Sequence, residues 1–363
     1  MVKPIIEEPV KFSDINIKVV GVGNCGGKIV SRIYEQKING VQFIAVSTNA
    51  RALENTKADI KILIGEKTIQ GIGTGGDPEK GRIAANEDKE KISEVLKNTK
   101  ILFLIAGLGK GTGTGGAPVI AKIAKDLGAL TISLVTTPFE LEGEKSLNLA
   151  KEGLNNLLKN VDTLIHISNQ KLFEIVDENI PAIEAFSKID EIILRTITSI
   201  TDLIYKEKLL GISFADIRSV VENAGKGIVG IGYGKGEGRM EKAVREAIDN
   251  PLVEKSEIMQ AKNILISITG SPDLTWKEIW DAIHIIQSRI SSPSRHLGIA
   301  TDKNLNDEVK ITLLATGIEE KPTTEKEKPI LVSPKREEKL FGKTEMEENI
   351  DEPAWLRKSK EVL

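Results

Sequence analysis

The residues with the clearest chemical meaning lie between positions 107 and 118, where the chain reads Gly-Leu-Gly-Lys-Gly-Thr-Gly-Thr-Gly-Gly-Ala-Pro. Glycine lets successive backbone N–H groups turn toward one anion, and the N-terminus of a following helix adds positive potential. Thr112 and Thr114 supply hydroxyl donors in the same stretch. The pattern therefore predicts a loop that binds phosphate. Its glycines are Gly107, Gly109, Gly111, Gly113, Gly115 and Gly116.

Two further glycine-rich turns narrow the kind of ligand. Residues 21–26 match the G-x-G-x-x-G pattern, and residues 71–78 form a third turn. A dinucleotide site needs an acidic residue at the end of the second strand, but that strand ends in Ser47-Thr48-Asn49. The Gly-Lys-Ser/Thr order of a P-loop is also missing. The sequence favours a mononucleotide held by backbone amides. The alternative is a nicotinamide-dependent oxidoreductase, for which the acidic residue that binds the ribose is missing.

The elements that position these turns alternate between strand and helix. Apolar runs predict strands at 17–22, 41–47, 61–64, 101–106, 130–135 and 163–167. We expect a polar helix over Glu79–Leu96. A second helix is expected from Pro118 to Leu127, with proline in its first turn. This alternation is typical of an α/β fold with a parallel sheet covered on both faces. Ligands in such sheets bind at the carboxyl ends of the strands, where the glycine-rich turns fall.

The chain divides into six predicted segments. A long apolar helical pattern from Ile183 to about Lys206 predicts a central helix, and strands and helices follow it as a second α/β unit. After Gly317, Lys, Glu and Pro dominate, which predicts a disordered linker. The predicted segments are an N-terminal arm (1–16), a nucleotide-binding domain (17–182), the central helix (183–207), a C-terminal domain (208–318), the linker (319–350) and a terminal docking peptide (351–363).

Composition limits the partners and the compartment. The 363 residues carry a net charge of −3, which gives no case for nucleic acid as a partner. The single Cys25 excludes an internal disulfide and suits a reducing compartment. No segment is long and apolar enough to predict a membrane span or direct membrane insertion. We expect a cytoplasmic protein.

Several motifs in order along the chain carry a family resemblance. Residues 109–115 read Gly-Lys-Gly-Thr-Gly-Thr-Gly, with Lys110 in place of one glycine of a family signature. Further matches are Phe43–Ala50, Gly71–Gly81, Val135–Phe139 with Glu142-Gly143, Asn169, Phe186 with Asp190, and Phe214–Ile217. On these residues the chain resembles the FtsZ family of the tubulin superfamily over residues 17–317.

The resemblance implies a GTP/GDP site. Asn169 and Asp190 match positions that hydrogen-bond guanine, and Phe186 matches an aromatic that packs on the base. A carboxylate at 190 accepts from both the ring N–H and the amino group of guanine, a donor pair that adenine lacks. The alternatives to these roles are that Asp190 is a solvated helix residue and that Phe186 only packs in the core. The remaining nucleotide-binding residues implied are Gly23, Asn24, Cys25, Gly26, Gly27, Gly73, Gly109, Lys110, Gly111, Thr112, Gly113, Thr114, Gly115, Pro138 and Glu142.

The resemblance also implies a hydrolytic site shared between subunits. In the family, a synergy loop with the pattern Asn-x-Asp-Phe-Ala-Asp acts on the nucleotide of the next molecule. Here Asp216 is retained, whereas Gly211 and Ser213 replace the first asparagine and aspartate. Serine carries no charge to orient water, so we expect slow or absent turnover. Lys28, Asn49 and Ser146 also depart from the family pattern, and Lys110 either offsets the missing arginine at 146 or points to solvent.

The partners follow from the same resemblance. We expect head-to-tail assembly with copies of the same chain, and docking of Asp351–Lys358, through Trp355 and Leu356, on membrane-tethering or division proteins at mid-cell. The alternative for this end is a random charged tail. No residue pattern suggests a protein-held metal, so Mg²⁺ is expected to arrive on the nucleotide. The alternative function is a GTP-binding, non-hydrolysing paralogue that co-assembles with or regulates a division filament.

Overall fold

The computed structural model describes residues 15–176, 179–205, 208–249, 258, 260–290 and 294–318. The predicted linker and docking peptide lie outside the described residues. Eleven strands in this part of the chain form one sheet, in the order β3-β2-β1-β4-β5-β6-β8-β11-β9-β10-β7. The strands are β1 Ile17–Val22, β2 Val41–Ser47, β3 Ile60–Leu63, β4 Ile101–Gly107, β5 Leu130–Thr137, β6 Thr163–Ser168, β7 Lys208–Leu210, β8 Gly225–Lys235, β9 Asn263–Gly270, β10 Ser294–Thr301 and β11 Glu308–Ile318.

The first six strands are all parallel, as the alternation of elements predicts. β6 pairs in parallel with the start of β8, and this short ladder joins the second half of the sheet to the first. β11 runs antiparallel to β8 and β9, while β10 is parallel to β9. The fold is the predicted α/β class. The short strand β7, which pairs antiparallel with β10, was not predicted because three residues give no periodic pattern.

Helices cover the sheet on both faces. They are α1 Gly23–Tyr34, α2 Ala50–Glu54, α3 Pro78–Glu87, α4 Lys89–Leu96, α5 Thr112–Asp126, α6 Glu144–Leu158, α7 Leu172–Ile175, α8 Ala182–Tyr205, α9 Phe214–Val221, α10 Arg239–Asp249 and α11 Trp276–Arg289. α8 is the predicted central helix. Its Ile189, Ile193, Ile197 and Ile200 are buried in one core with strands from both halves of the sheet, so α8 packs the two halves together.

Two helix predictions were wrong. α5 begins at Thr112 rather than at Pro118, so glycines 113, 115 and 116 lie inside the helix. Proline is common in a first turn, but Pro118 is interior here and leaves one helical N–H missing from the ladder. The polar helix expected over Glu79–Leu96 is two helices. Asp88 breaks it because its backbone is not helical and its carboxylate accepts the Gly65 N–H at 2.8 Å.

Candidate functional site

A cleft of about 330 Å³ lies at the carboxyl ends of β1, β4, β5 and β6. This is the edge where the sequence places its glycine-rich turns, and where parallel α/β sheets bind ligands. Eleven of the predicted nucleotide-binding residues line the cleft: Gly23, Asn24, Cys25, Gly73, Lys110, Gly111, Thr112, Gly113, Pro138, Glu142 and Asn169. The structure therefore brings all three glycine-rich turns to one cavity.

Two helix N-termini converge on this cleft. α1 begins at Gly23 and α5 begins at Thr112, and neither has a side chain that caps its first-turn N–H groups. By contrast, Ser213 and Thr275 cap α9 and α11 with side-chain hydrogen bonds. First-turn N–H groups without an internal partner carry the positive end of the helix dipole. The cleft thus offers two sets of free donors to an anion, as a di- or triphosphate requires.

Some predicted residues lie outside the cleft lining. A Cβ on Gly26 would stand 2.4 Å from the Ile105 carbonyl oxygen, so this glycine lets α1 approach β4. A Cβ on Gly115 would stand 1.8 Å from the Pro78 carbonyl oxygen, so that glycine lets α5 pack on α3. These two glycines allow close packing at the base of the loops. The predicted residues outside the lining are Gly26, Gly27, Gly109, Thr114, Gly115, Phe186 and Asp190.

Thr114 fixes the phosphate loop from within. Its hydroxyl oxygen accepts the Gly109 N–H at 3.0 Å, and Gly109 has a φ of +98°, which favours glycine. The turn from β4 into α5 is held in place by this bond. Thr114 therefore shapes the loop without lining the cleft.

Thr48, Asn49 and Thr74 are polar residues of the cleft lining that were not among the predicted nucleotide-binding residues. Thr48 Oγ1 lies 2.7 Å from Thr112 Oγ1, which ties the end of β2 to the start of α5. Asn49, one of the departures from the family pattern, caps α2 by accepting the Ala52 N–H at 2.9 Å. The available signal was the position of Thr48 and Asn49 directly after β2, and that of Thr74 in the third glycine-rich turn.

Lys110 forms an ion pair at the mouth of the cleft. Its Nζ lies 3.1 Å from Glu142 Oε2, and its side chain is 73% exposed. The two alternatives for Lys110 were compensation for the missing arginine and a solvent-facing side chain. The side chain is mostly in solvent, yet its charge is paired with a second residue of the cleft lining.

Cys25 lies on the cleft wall beside Thr136, with 3.8 Å between Sγ and Oγ1. Desolvation raises the pKa of the Cys25 thiol above its ordinary value, so the thiol is neutral near pH 7. A neutral thiol is a poor nucleophile. This chemistry gives no support to a role for Cys25 as a nucleophile.

Three phenylalanine side chains lie together beyond the cleft lining: Phe139 after β5, Phe173 on α7 and Phe186 on α8. Phe139 contacts Phe173 and Phe186 edge to face, with ring centroids 5.6 and 5.9 Å apart. Phe186 is 45% exposed, so its side chain is not simply packed in the core.

Asn169 Oδ1 is buried and has no hydrogen-bond partner among the described residues. An orphaned acceptor beside free helix N–H groups fits a nucleotide that donates from its base or ribose.

Asp190 is buried on α8 rather than solvated, and it forms an ion pair with Arg32 of α1. Desolvation raises the pKa of Asp190 to about 6, while the Arg32 charge acts in the opposite direction. Sequence reasoning did not identify Arg32, which is 158 positions away in the chain. The carboxylate predicted to accept from guanine is thus already engaged with a cation.

Asp216 lies in a hydrogen-bonded turn at the start of α9. Its Oδ2 accepts from the Ser213 N–H at 2.7 Å and from the Ser213 hydroxyl at 2.5 Å, and Ser213 Oγ accepts the Asp216 N–H in return. This is a capping box. These hydrogen bonds lower the pKa of Asp216, so the group is a carboxylate at neutral pH.

Asp216 and the cleft occupy opposite edges of the sheet. The pairing of neighbouring strands places one end of each along the same edge of the sheet, at Thr163, Gly225, Thr316, Asn263 and Ser294. α9 lies at that edge, since its Val221 carbonyl accepts from Thr163 and its Asp216 contacts His296 of β10. The six residues of β6 separate this edge from the cleft by roughly 20 Å at about 3.3 Å per residue. Asp216 is therefore too far away to act in the cleft of its own chain.

Comparison with known families defines the class of protein. Residues 16–177 match the GTPase domain of the Tubulin/FtsZ family, and residues 225–319 match the C-terminal domain of the FtsZ family. The first match contains every residue of the cleft lining. The fold and the cleft are those of a tubulin-type GTPase domain, a family that binds GTP and GDP.

Solved structures narrow this class. The empty FtsZ dimer of M. jannaschii is 39% identical, with a TM-score of 0.77, and the match covers 84% of this chain and 88% of that one. The chain belongs to the FtsZ family. CetZ2 from Haloferax volcanii, solved as a GTPγS-bound protofilament, shares the fold at 21% identity and a TM-score of 0.72, covering 85% of this chain and 95% of that one.

The residues that the structure describes were predicted to include no membrane span and no protein-held metal. No helix there has the length and apolar character needed to cross a bilayer. Within the same residues, no three His, Cys, Asp or Glu side chains cluster as metal ligands would.

Proposed function

We propose that this protein is a filament-forming GTPase that binds GTP in its cleft and assembles head to tail. The observation that carries the proposal is the separation of Asp216 from the cleft by the full height of the sheet. A group that acts on nucleotide from the opposite edge must act on a second molecule. Repeated contact of one edge with the other is a head-to-tail interface, which extends into an open filament when the rotation between successive molecules does not close a ring.

Exposed apolar side chains at the cleft edge support this assembly. Ile72, in the cleft lining, is 82% exposed, and Leu141 beside Glu142 is 78% exposed. Large apolar side chains left in solvent mark interaction sites. The M. jannaschii relative was solved as a dimer, which is consistent with self-association.

The proposed ligand is GTP, with GDP as its product. The first-turn N–H groups of α1 and α5 bind the phosphates, and Asn169 and Asp190 accept hydrogen bonds from guanine. Phe186, half-exposed beside Phe139, packs against the base. Mg²⁺ enters with the phosphates and retains most of its water ligands. Asp190 must then be shared between Arg32 and the base.

Hydrolysis takes place at the contact between two molecules. Water bonds to the γ-phosphorus as the bond to the β–γ bridging oxygen breaks, GDP leaves with that electron pair, and the water gives up a proton. Asp216 of the adjoining molecule orients this water. Ser213, whose hydroxyl caps α9, supplies no second carboxylate, and Gly211 supplies no amide. We infer that turnover is slow for these two reasons.

The cellular role proposed is organisation of the division ring in the cytoplasm at mid-cell. Support for it comes from membership of the FtsZ family and from the sequence of Asp351–Lys358, whose Trp355 and Leu356 resemble a docking peptide for membrane-tethering partners. A peptide at the end of a charged tether reaches partners without disturbing the filament.

The test measures GTP hydrolysis and light-scattering assembly together. We compare the wild type with Asp216→Ala and with the double variant Gly211→Asn/Ser213→Asp. Aspartate is also a good N-cap, so the double variant retains the start of α9. GTP-dependent assembly, loss of turnover in Asp216→Ala and faster turnover in the double variant are expected. No GTP-dependent assembly, or full turnover in Asp216→Ala, would refute the proposal.

A further inference from the structure

The two oxygens of the Asp216 carboxylate have different surroundings. Oδ2 accepts both hydrogen bonds from Ser213, whereas Oδ1 faces the ring of His296, with 3.4 Å between Oδ1 and Nδ1. Asp216 is 40% exposed and His296 is 25% exposed. Oδ1 is therefore the oxygen that accepts no hydrogen bond from Ser213, and an imidazole lies beside it.

The ring of His296 lies between two groups of α9. Its Nε2 lies 3.4 Å from Ser219 Oγ. Donation from Nδ1 to Asp216 Oδ1 requires the tautomer with its proton on Nδ1, in which Nε2 accepts from the Ser219 hydroxyl. His296 lies on β10, where it pairs in register with Leu265 of β9. Pairing with β9 thus fixes the backbone of the histidine, while α9 contacts its ring.

We propose that His296 is a positioning residue for hydrolysis: it orients Asp216 Oδ1 toward water at the nucleotide of the adjoining molecule. This inference rests on the proposed head-to-tail function. The first aspartate of the family pattern is absent at Ser213, so Asp216 carries the task alone. A ring nitrogen beside Oδ1 limits rotation of the carboxylate and leaves its second lone pair free to accept from water.

The size of the effect follows from geometry. A separation of 3.4 Å at a partly exposed site makes the contact a weak one. Misplacement of a catalytic group by about 1 Å costs up to about 100-fold in rate, and loss of one weak contact allows a smaller displacement. We expect removal of the imidazole to slow turnover about tenfold and to leave nucleotide affinity unchanged.

The test compares His296→Leu with His296→Asn, because asparagine retains an N–H donor near the position of Nδ1. His284→Asn is the matched control, since that exposed histidine of α11 contacts Trp280 edge to face and lies away from Asp216. Turnover per assembled subunit, the critical concentration for assembly and GDP affinity are measured for each variant. Only turnover should fall in His296→Leu, and His296→Asn should recover to within about threefold of the wild type.

Two results would overturn this inference without affecting the proposed function. One is turnover of GTP by His296→Leu within twofold of the wild type, and the other is turnover by His296→Asn no faster than by His296→Leu. An assembling wild type without turnover would also overturn it. Asp216→Ala, measured beside these variants, separates the two proposals. If Asp216→Ala retains full turnover, the head-to-tail function itself fails. If it is inactive, only the role of His296 is in question.

Discussion

Arg32 on α1 and Asp190 on α8 form an ion pair at the side of the cleft where the base is expected to bind. Burial raises the pKa of Asp190 to about 6, although Arg32 opposes the shift. Guanine needs an ionised acceptor at this position, because a protonated carboxyl cannot accept from both guanine donors. Nucleotide affinity should therefore depend on pH in a range where most carboxylates do not titrate.

We predict that GDP binds about tenfold more weakly at pH 5 than at pH 7, since the ionised fraction of a group with pKa 6 falls by that factor. Arg32→Gln should shift the inflection to higher pH by removing the opposing charge. Titration calorimetry across this range measures the effect. Asp190→Asn is the control and should lose the inflection; an unchanged profile in that variant would assign the pH dependence to another group.

The same pKa has a consequence for folding. Because the folded-state pKa of Asp190 exceeds its ordinary value of 3.8, the ionised form is disfavoured in the folded protein. The contribution of this group to stability is thus greatest below about pH 4 and declines as the pH rises to about 6. Urea unfolding of the wild type and of Asp190→Asn, compared between about pH 4 and about pH 6, isolates this contribution to stability.

Cys25 reports directly on occupancy of the cleft, because it is the only cysteine in the chain and lies in the cleft wall. Its raised pKa predicts slow alkylation at pH 7.5 that accelerates as the pH increases. GDP should block the reaction and ATP should not, since the base site favours guanine. Mass spectrometry after iodoacetamide treatment measures the modified fraction. Equal labelling with and without GDP would place the nucleotide elsewhere.

Arg239 holds the C-terminal half of the sheet together. Its guanidinium, almost fully buried, donates to Ser271, Asp273, Asp307 and Glu278, which connects α10 to the start of α11 and the β10–β11 turn. We predict that Arg239→Met lowers the free energy of unfolding by about 2–4 kcal/mol. Arg245→Met is the control on the same helix. Its exposed pair with Glu241 contributes less than about 1 kcal/mol.

Acid unfolding tests the Arg239 cluster independently. The Arg239 guanidinium lowers the pKa of Glu278 to about 2. The stabilisation from this pair is complete above about pH 4.5 and is lost as the pH falls toward 2. Arg239→Met should therefore shift the acid-unfolding midpoint to higher pH, as followed by circular dichroism. Equal midpoints for wild type and variant would contradict the prediction.

The sequence predicted the fold class, the strands along the first half of the chain and the edge that holds the cleft. These depend on periodic apolar runs and on glycines at strand ends, both of which are local signals. The start of α5 was misplaced because glycines 113, 115 and 116 have poor helix propensity in isolation. Close packing on α3, where a Cβ at 115 would collide with Pro78, outweighs that propensity.

Long-range pairs could not be predicted from one sequence. His296 approaches Asp216 across 80 positions, and Arg32 approaches Asp190 across 158. The first pair depends on how α9 meets the sheet and the second on how α1 and α8 meet it, which no local pattern encodes. The capping box formed by Ser213 and Asp216 was readable, since Ser-x-x-Asp precedes an apolar run. The mismatch with the family pattern drew attention to the charge that Ser213 lacks rather than to the cap it forms.

The central claim, that Asp216 acts in the cleft of another molecule, is tested most directly by mixing two inactive variants. Asp216→Ala retains an intact cleft. Thr112→Glu places a negative charge at the start of α5, where it repels phosphate yet suits a helix N-terminus. We predict that neither variant hydrolyses GTP alone and that an equimolar mixture recovers activity, up to about one quarter of the wild type if interfaces form at random. A mixture that assembles but remains as inactive as its components would contradict the account.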